Sequence, residues 1–304
     1  MTAALVARPS RPARLRILLP YLYILPVVVL TAVFIAWPLI YSVYLATLEW
    51  NFVSPVQKYV GLDNFLHLGG DPLFWNAVGN TVLYAAVLVP ALLIFPLALA
   101  VALSRIGNHR SRTVYRAILF TPTVVSFSAA SVVWLWIFNP VGGVLNQISQ
   151  AMGGAGSAWL GDPGVAFWCV AAVCIWKLLG FNLLLFSTAL DSVPKVLLEA
   201  AALDGASGWT LLRRIKLPLI APTFFFVVVS TTIFITEDVF DAISILTQGG
   251  PYGSTTNVLY FLYERSFKEF NVGEASAVAL ILFVAVLMIT RLQFRFAERH
   301  VHYS

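Results

Sequence analysis

The chain has 304 residues, of which 60% are hydrophobic and only 11% are charged. An average soluble domain is about 45–50% apolar and about 25% charged, so the composition excludes an ordinary soluble enzyme and indicates an integral membrane protein. The net charge of +5 therefore bears on how the chain lies in a membrane, and we expect no nucleic-acid partner.

Six apolar stretches follow one another along the chain. A helix crosses the hydrocarbon core with about 20 residues, and the polar segments between the stretches are too short to bury a core of their own. Glycine clusters at residues 139–143 and 152–154 end the third stretch. Pro90, Pro96 and Pro122 predict kinks in the second and third spans. The expected fold class is an all-α membrane protein with six transmembrane helices, near residues 18–46, 77–103, 114–138, 164–190, 218–245 and 274–294.

Basic residues are unevenly distributed between the loops. The loops after the second and fourth spans and the two tails hold most of the 19 Lys and Arg, whereas Lys58, Arg265 and Lys268 lie in the other loops. The positive-inside rule then predicts a multi-pass protein with both termini in the cytoplasm. The expected organisation is a cytoplasmic N-terminal tail at residues 1–17, a transmembrane domain at residues 18–294 and a cytoplasmic C-terminal tail at residues 295–304.

The loop between the fourth and fifth spans, residues 191–217, carries the most specific motif of the chain. It begins with a short predicted helix, because Pro194 suits a first helical turn and Gly205 can supply a left-handed stop. Ser207 can then cap a second short helix that runs toward the fifth span. The motif reads Glu-Ala-Ala, three residues, Gly, nine residues, Ile, one residue, Leu-Pro. Its named positions, together with the acidic residue before the glycine, are Glu199, Ala200, Ala201, Asp204, Gly205, Ile215, Leu217 and Pro218.

This segment resembles the EAA loop of ABC importer permeases, and every position of that signature is met. The resemblance implies the type I ABC importer permease fold, whose cytoplasmic coupling helix docks into a groove of a nucleotide-binding subunit. It implies that the residues from Glu199 to Gly205 form the docking surface, and that those from Ile215 to Pro218 fix the return of the chain into the membrane. The alternative is a chance amphipathic loop between two spans. We call residues 191–217 the coupling loop.

Shorter matches outside the coupling loop narrow the family. The segments at residues 61–65, 138–140 and 247–251 look like those of carbohydrate-type permeases, and the ending at residues 293–295 is closest to glycerol-3-phosphate permease subunits. The resemblance implies a permease subunit of an ATP-driven importer in a bacterial inner membrane. Such a subunit passes glycerol-3-phosphate or a glycerophosphodiester from an extracytoplasmic binding protein into the cytoplasm. A sugar or oligosaccharide is the alternative solute.

The chain contains no GxxxxGK[ST] motif, so we do not expect it to bind nucleotide phosphates or to be an enzyme. The resemblance implies two copies of a separate ABC ATPase subunit, which bind ATP and Mg²⁺ and carry out the hydrolysis. It also implies a second, non-identical permease subunit and a solute-binding protein, assembled at the lipid bilayer. We expect no cofactor, no catalytic residue and no metal site in this chain.

Ionisable residues inside membrane spans are costly and usually face a cavity or a partner. Lys177 lies near the middle of the fourth span. We predict that it meets a phosphate-bearing solute, with Trp176 offering a flat face and Asn182 a hydrogen bond. The alternative is that Lys177 pairs with a carboxylate or extends along the helix toward the interface.

An acidic cluster lies toward the outer end of the fifth span. Glu237 and Asp241 are four residues apart and share a helix face, and Asp238 lies between them. We predict that Glu237 and Asp241 line the outer gate or contact the other permease. Three acids suit a zwitterionic or neutral solute better than a plain anion. They also suit an ion-coupled secondary transporter, but such proteins normally show an internal repeat, and no convincing repeat is found in this sequence.

Overall fold

The computed structural model describes residues 13–300, with side chains described from residue 20 to residue 296. Residues 1–12 and 301–304 of the predicted tails therefore lie outside the described residues. Helices make up most of the described structure, and an antiparallel hairpin pairs β1 (Leu48–Glu49) with β2 (Lys58–Tyr59). The helices are α1 (Ala13–Thr31), α2 (Trp37–Leu45), α3 (Asp63–Gly70), α4 (Pro72–Ser104), α5 (His109–Val124), α6 (Phe127–Ile137), α7 (Val144–Ala151), α8 (Pro163–Asp191), α9 (Lys195–Leu203), α10 (Gly208–Leu211), α11 (Leu217–Leu219), α12 (Ala221–Leu246), α13 (Val258–Tyr263) and α14 (Val272–His300).

Five stretches of the described structure are long and apolar enough to cross a membrane, and a sixth is formed if one bent helix pair counts as a span. The bent pair is α5 with α6, which are inclined at 97° to one another. The six-span, all-α architecture is thus confirmed, but the predicted third span at residues 114–138 is not one helix. The five stretches are Pro20–Leu45, Pro72–Ser104, Pro163–Asp191, Ala221–Leu246 and Val272–Phe296.

The break in the third span lies at Val125 and Ser126, a few residues beyond Pro122. Val125 takes an extended backbone conformation, which ends α5. The hydroxyl of Ser126 accepts a hydrogen bond of 3.2 Å from the backbone N–H of Ala129 and so caps the first turn of α6. Because both arms of the break are apolar, the hydropathy of the sequence did not reveal it.

Helix α8 lies at the centre of the bundle and packs against α4, α5 and α12. In the most apolar segment of α8, 61% of the residues are buried, whereas 0% are buried in the corresponding segment of the first span. Gly180 permits a close approach of α8 to α5, because a Cβ there would lie 2.6 Å from the backbone oxygen of Leu119. Helix α8 therefore positions the inner spans, while the first span is held mainly by the packing of α2 on α14.

Helix α4 continues through both Pro90 and Pro96 as one helix. Pro96 has no backbone N–H, so the carbonyl of Leu92, one turn earlier, loses its helical donor. The side-chain amide of Asn182 on α8 supplies a replacement, since its Nδ2 donates to the Leu92 oxygen at 2.9 Å. The same nitrogen donates to the Thr231 hydroxyl on α12 at 3.0 Å. One buried amide thus links α4, α8 and α12.

Two clusters of buried apolar residues lie at opposite ends of the bundle. One joins α3 and α13 to the starts of α4 and α14. The other joins the ends of α4 and α8 to the start of α12. We call the end of the bundle that holds the first cluster the hairpin end, and it carries residues 46–71, 138–162 and 247–271. The second is the coupling-loop end, which carries residues 105–108 and 192–220.

Candidate functional site

The first half of the coupling loop is a short helix with a tight left-handed stop. Helix α9 begins after Pro194, and Gly205 follows it with φ of +79°. The N–H of Ala206 donates to the oxygen of Ala201 at 2.9 Å, and that of Gly205 donates to the oxygen of Ala202 at 3.0 Å. This pair of bonds defines a Schellman motif, in which glycine is favoured because it has no Cβ. The left-handed stop predicted at Gly205 is confirmed.

The second half of the coupling loop leads the chain back into the bundle. Ser207 occupies the N-cap position of α10 with an extended backbone, but its side chain makes no capping hydrogen bond. A π-helical turn at Leu212–Lys216 follows, so the predicted second helix does not stay α-helical up to the fifth span. Ile215 and Leu217 are half-buried, whereas Pro218 is exposed. Leu217 packs against the buried cluster at this end.

The coupling loop presents most of its signature to solvent. Ala201 is only 6% exposed, whereas Leu203 is 90% and Trp209 is 67% exposed. Within the described part of the chain, no side chain from residue 193 to residue 219 takes part in a hydrogen bond or an ion pair. Docking of another chain on this exposed surface stays a prediction. The exposed signature residues are Glu199, Ala200, Asp204, Gly205 and Pro218.

An ion-pair clamp fixes the start of the coupling loop. Asp191, the last residue of α8, accepts hydrogen bonds from Arg112 at 3.0 Å and from Arg116 at 2.9 Å. Both arginines lie on α5, one helical turn apart, and all three side chains are partly buried. The sequence did not predict this contact, because the two arginines were interpreted only as evidence for which side of the membrane their loop lies on.

Lys177 lies at the break in the third span. Its side chain is buried, and its ammonium group donates to the backbone oxygen of Thr123 at 2.7 Å and to that of Val125. In return the Thr123 hydroxyl donates to the backbone oxygen of Lys177 at 3.0 Å. The partners of Lys177 are thus carbonyl groups that the end of α5 leaves without helical donors, and not a carboxylate. Contact of Lys177 with a solute stays a prediction.

The two residues predicted to assist Lys177 lie on different faces of α8. Trp176 is 38% exposed and packs edge-on against Trp134, with ring centroids 5.6 Å apart. Asn182 is 2% exposed and uses its amide hydrogens inside the bundle, as described above. The structure therefore does not bring the three predicted residues to one surface. Their contact with a solute stays a prediction.

The acidic cluster on α12 points in two directions. Glu237 is exposed and lines a crevice of about 320 Å³ between α12, α13 and α14. Asp238 and Asp241 are half-buried and face α8, where Asp238 and Lys177 attract one another. In the part of the chain that the structure describes, none of the three carboxylates has a hydrogen bond or an ion pair. Because unpaired charge within a span is costly, a bound proton, water, a solute or another subunit must compensate it.

An ionic network at the hairpin end was not predicted. Arg265 bonds to Asp71 at 2.6 Å and to Glu269, and its Nε lies 3.6 Å from the buried carboxylate of Glu274. Burial lowers the pKa of Arg265, but the hydrogen bond to Glu269 and the three acidic charges outweigh burial and hold that pKa above its ordinary value. His67 also contacts Glu274, at 2.5 Å. The network joins α3, α4 and α14 to the turn after α13.

The loop after α12 forms an exposed tip beside this network. Tyr252 is 96% exposed. Behind it, the amide nitrogens of Asn76 and Asn80 donate to the backbone oxygen of Gly253 at 2.8 and 3.0 Å. A cavity of about 340 Å³ lies between this loop and Arg265. The hairpin end therefore holds a rigidly supported loop with a tyrosine at its tip.

Comparisons of the sequence with family models and with individual proteins identify the same family. The family model described as binding-protein-dependent transport system inner membrane component matches residues 93–302, more than half of the chain. The permease proteins UgpA of the sn-glycerol-3-phosphate transport systems of Agrobacterium fabrum and Brucella abortus are 35% and 36% identical to the chain over 287 residues. Each match covers 94% of this chain and 97% of the relative. The corresponding Yersinia pestis protein is 33% identical, and the match covers 97% of this chain and 99% of the relative.

Solved structures give the same fold. A chain of a bacterial ABC transporter involved in the import of the acidic polysaccharide alginate superposes with a TM-score of 0.84 at 24% identity, covering 94% of this chain and 97% of its own. A chain of the MetNI methionine ABC transporter, in an inward-facing conformation, gives a TM-score of 0.55 at 18% identity, covering 77% of this chain and 100% of its own. The match to the family model, the identity to the permease relatives and the fold agree. The chain therefore belongs to the binding-protein-dependent transport system inner membrane component family and is a permease subunit of an ABC importer.

Proposed function

We propose that this permease passes glycerol-3-phosphate or a glycerophosphodiester from an extracytoplasmic binding protein into the cytoplasm. The observation that carries the proposal is the 33–36% identity to permeases named for sn-glycerol-3-phosphate, over nearly the whole chain. A relationship of this extent favours a shared solute class as well as a shared fold. The family assignment also removes the ion-coupled secondary transporter as an alternative.

The proposed complex contains this chain, a second, non-identical permease, two copies of an ABC ATPase and a solute-binding protein. The ATPases bind ATP and Mg²⁺ and carry out hydrolysis, because this chain has no phosphate-binding motif. The open face of the coupling loop supports docking of an ATPase, with Glu199, Ala200, Asp204 and Gly205 at the contact. Tyr252 at the tip of the loop after α12 supports docking of the binding protein at the hairpin end.

The proposed topology places the coupling-loop end in the cytoplasm of a bacterial cell, with the complex in the inner membrane. Six spans return the chain to the side on which it started, so both tails, residues 1–17 and 295–304, lie on the cytoplasmic side. The basic residues clustered in the tails and in the loops at this end support this orientation. The membrane domain then extends from residue 18 to residue 294, with the coupling loop as its main cytoplasmic projection.

The proposed solute pathway runs beside α8 and α12. Trp176 and Asp241 are accessible to it, and Lys177 and Asn182 reach it only if they exchange their present partners. Glu237 lies on the side of α12 that faces α13 and α14. Unpaired carboxylates favour a solute that carries a cationic group beside its phosphate, which describes a zwitterionic glycerophosphodiester better than glycerol-3-phosphate. They suit a sugar equally well, so a sugar or oligosaccharide is the second candidate.

Solute-stimulated ATP hydrolysis tests the proposal. The complete complex is reconstituted in lipid nanodiscs with its binding protein and given glycerol-3-phosphate, a glycerophosphodiester or a panel of sugars in turn. We expect stimulation by one or both phosphate compounds and none by the sugars. If only sugars stimulate, the solute assignment is wrong and the importer role stands. If neither the phosphate compounds nor the sugars stimulate hydrolysis, both solute candidates are wrong.

A matched pair of glycine variants tests the docking role of the coupling loop. Gly205 and Gly153 have nearly equal φ values, +79° and +81°, and a Cβ added at either glycine would meet no atom within 4 Å. Arginine therefore introduces the same backbone strain at both sites, about 1–2 kcal/mol. We expect Gly205→Arg to abolish stimulated hydrolysis and Gly153→Arg, at the hairpin end, to retain it. Equal activity of the two variants would contradict the docking assignment.

A further inference from the structure

The break in the third span lacks the hydrogen bonds that a continuous helix would supply. The last carbonyl groups of α5 have no helical N–H partners, and no water is available to replace them in the hydrocarbon core. Lys177 donates to two of these carbonyl groups, those of Thr123 and Val125. Ser126 caps the first turn of α6 on the other side of the break. Side chains therefore satisfy backbone groups on both sides of the break, and on the α5 side the donor comes from α8.

Helices α5 and α8 are joined from the break down to the coupling-loop end. Below Lys177, the backbone of α5 passes so close to Gly180 that a Cβ would clash with the oxygen of Leu119. At the lower end, Arg112 and Arg116 of α5 bind Asp191 of α8. Helix α9 begins only a few residues after Asp191. A displacement of α9 by an ATPase would therefore move α8 and α5 together.

Helix α6 belongs to a different part of the bundle. It packs mainly against α12, and its buried side chains Phe127 and Ala130 lie on the far side of the break. Val125, which is extended, and Ser126 form the connection between the α5–α8 pair and α6. A change in the angle between these two parts would be taken up at this connection, beside the Lys177 ammonium.

We propose that Lys177 is a positioning residue that holds the end of α5 on α8, so that movement of the coupling loop reaches α6 as a defined change of angle at residues 125–126. The inference rests on the proposed importer function, but not on the identity of the solute. It gives the buried lysine a role in conformational coupling and not in recognition of a phosphate. The carbonyls of Thr123 and Val125, not solute oxygens, are its acceptors.

Kinetics of a matched pair of variants distinguish these roles. Lys177→Met keeps the length of the side chain and removes its donors, whereas Lys177→Arg keeps the donors. In the nanodisc complex we expect Lys177→Met to lower the kcat of stimulated hydrolysis about tenfold with an unchanged KM for the loaded binding protein and for solute. Lys177→Arg should recover most of the kcat. Lys58→Met, which removes an exposed ion pair at the hairpin end, serves as the control and should retain full activity.

The distance between α5 and α6 tests directly whether Lys177 fixes the angle at the break. Spin labels are attached to cysteines introduced at the exposed positions Tyr115 on α5 and Trp136 on α6, while the native cysteines are buried. We expect the unaltered permease to show two narrow label distances, one without and one with bound ATP. With Lys177→Met the distribution should become broad and insensitive to ATP, and with Lys177→Arg it should stay narrow and ATP-dependent.

Two results would overturn the proposal. One is a raised solute KM with unchanged kcat for Lys177→Met, since that would assign the ammonium to solute binding. The other is an unaltered, ATP-dependent pair of distances in Lys177→Met. Neither result depends on which solute stimulates hydrolysis, so failure here is separable from failure of the solute assignment.

Discussion

The two ends of this permease hold their loops in different ways. At the hairpin end, side chains from several segments bind one another, and Arg265 faces three carboxylates. At the coupling-loop end, the loop meets the bundle through apolar side chains such as Leu198 and Leu217, while Leu203 and Trp209 stay exposed. Polar groups satisfied within one chain keep their geometry without a partner, whereas exposed apolar groups gain from one. The contacts within this chain thus fix the hairpin end more firmly than the coupling loop, as expected if the proposed ATPase completes the coupling loop.

The largest expected effect comes from removing the cation of the hairpin end. Arg265→Met removes the cation that Asp71 and the buried Glu274 share, and breaking a buried pair in this way costs about 3–5 kcal/mol. We expect the midpoint of denaturant-induced unfolding in detergent micelles to fall accordingly. Arg213→Met at the coupling-loop end is the control, because Arg213 is exposed. Equal loss of stability in both variants would contradict the comparison.

A smaller difference is expected between two glycines. A Cβ at Gly273 would lie 1.9 Å from the backbone oxygen of Leu48, where α14 packs against the hairpin. Gly273→Ala therefore overpacks the hairpin end and should cost about 3 kcal/mol. Gly205→Ala meets no neighbouring atom and should cost only the strain of its positive φ, about 1 kcal/mol. The same unfolding titration compares them, and a larger loss for Gly205→Ala would show that the coupling loop is the more tightly packed region.

The smallest effect on the permease itself is expected at Leu203. Because this side chain is 90% exposed, Leu203→Ser should leave the unfolding midpoint unchanged. If Leu203 is buried against an ATPase, however, its loss should weaken their association by about 1.5–3 kcal/mol, or at least tenfold. Co-purification and titration of the ATPase measure this.

Leu66→Ser provides the control for that measurement. Leu66 is 73% exposed and lies on α3 at the hairpin end, so its replacement should leave ATPase binding unchanged. Equal ATPase affinity for Leu203→Ser, Leu66→Ser and the unaltered permease would remove this face of the coupling loop from the interface.

The sequence alone was sufficient to predict features that depend on hydropathy and on the backbone preferences of single residues. Long apolar runs require helices in a membrane, and the predicted second span at residues 77–103 lies within α4. Gly205 was predicted to take a left-handed conformation because glycine adopts it without steric cost, and the structure has it there. Both inferences use the properties of residues that are close together in the chain.

Contacts between distant segments could not be predicted in this way. Asp71 and Arg265 are 194 residues apart, and nothing in either neighbourhood marks the other as a partner. The acceptors of Lys177 are backbone carbonyls, which every residue carries, so no residue type could have identified them. The apolar residues on both sides of Ser126 likewise gave no indication that the third span turns there.

The bond between Lys177 and the end of α5 also bears on the order in which the spans enter the membrane. A lysine at the centre of an isolated helix costs about 2.5–3.5 kcal/mol to insert, which an apolar helix such as α8 can bear only in part. Helix α5 precedes α8 in the chain, so the carbonyls that accept from Lys177 are synthesised before Lys177. The acceptor and the donor each lower the insertion cost of the other, and the chain supplies them in the order that lets α8 enter beside α5.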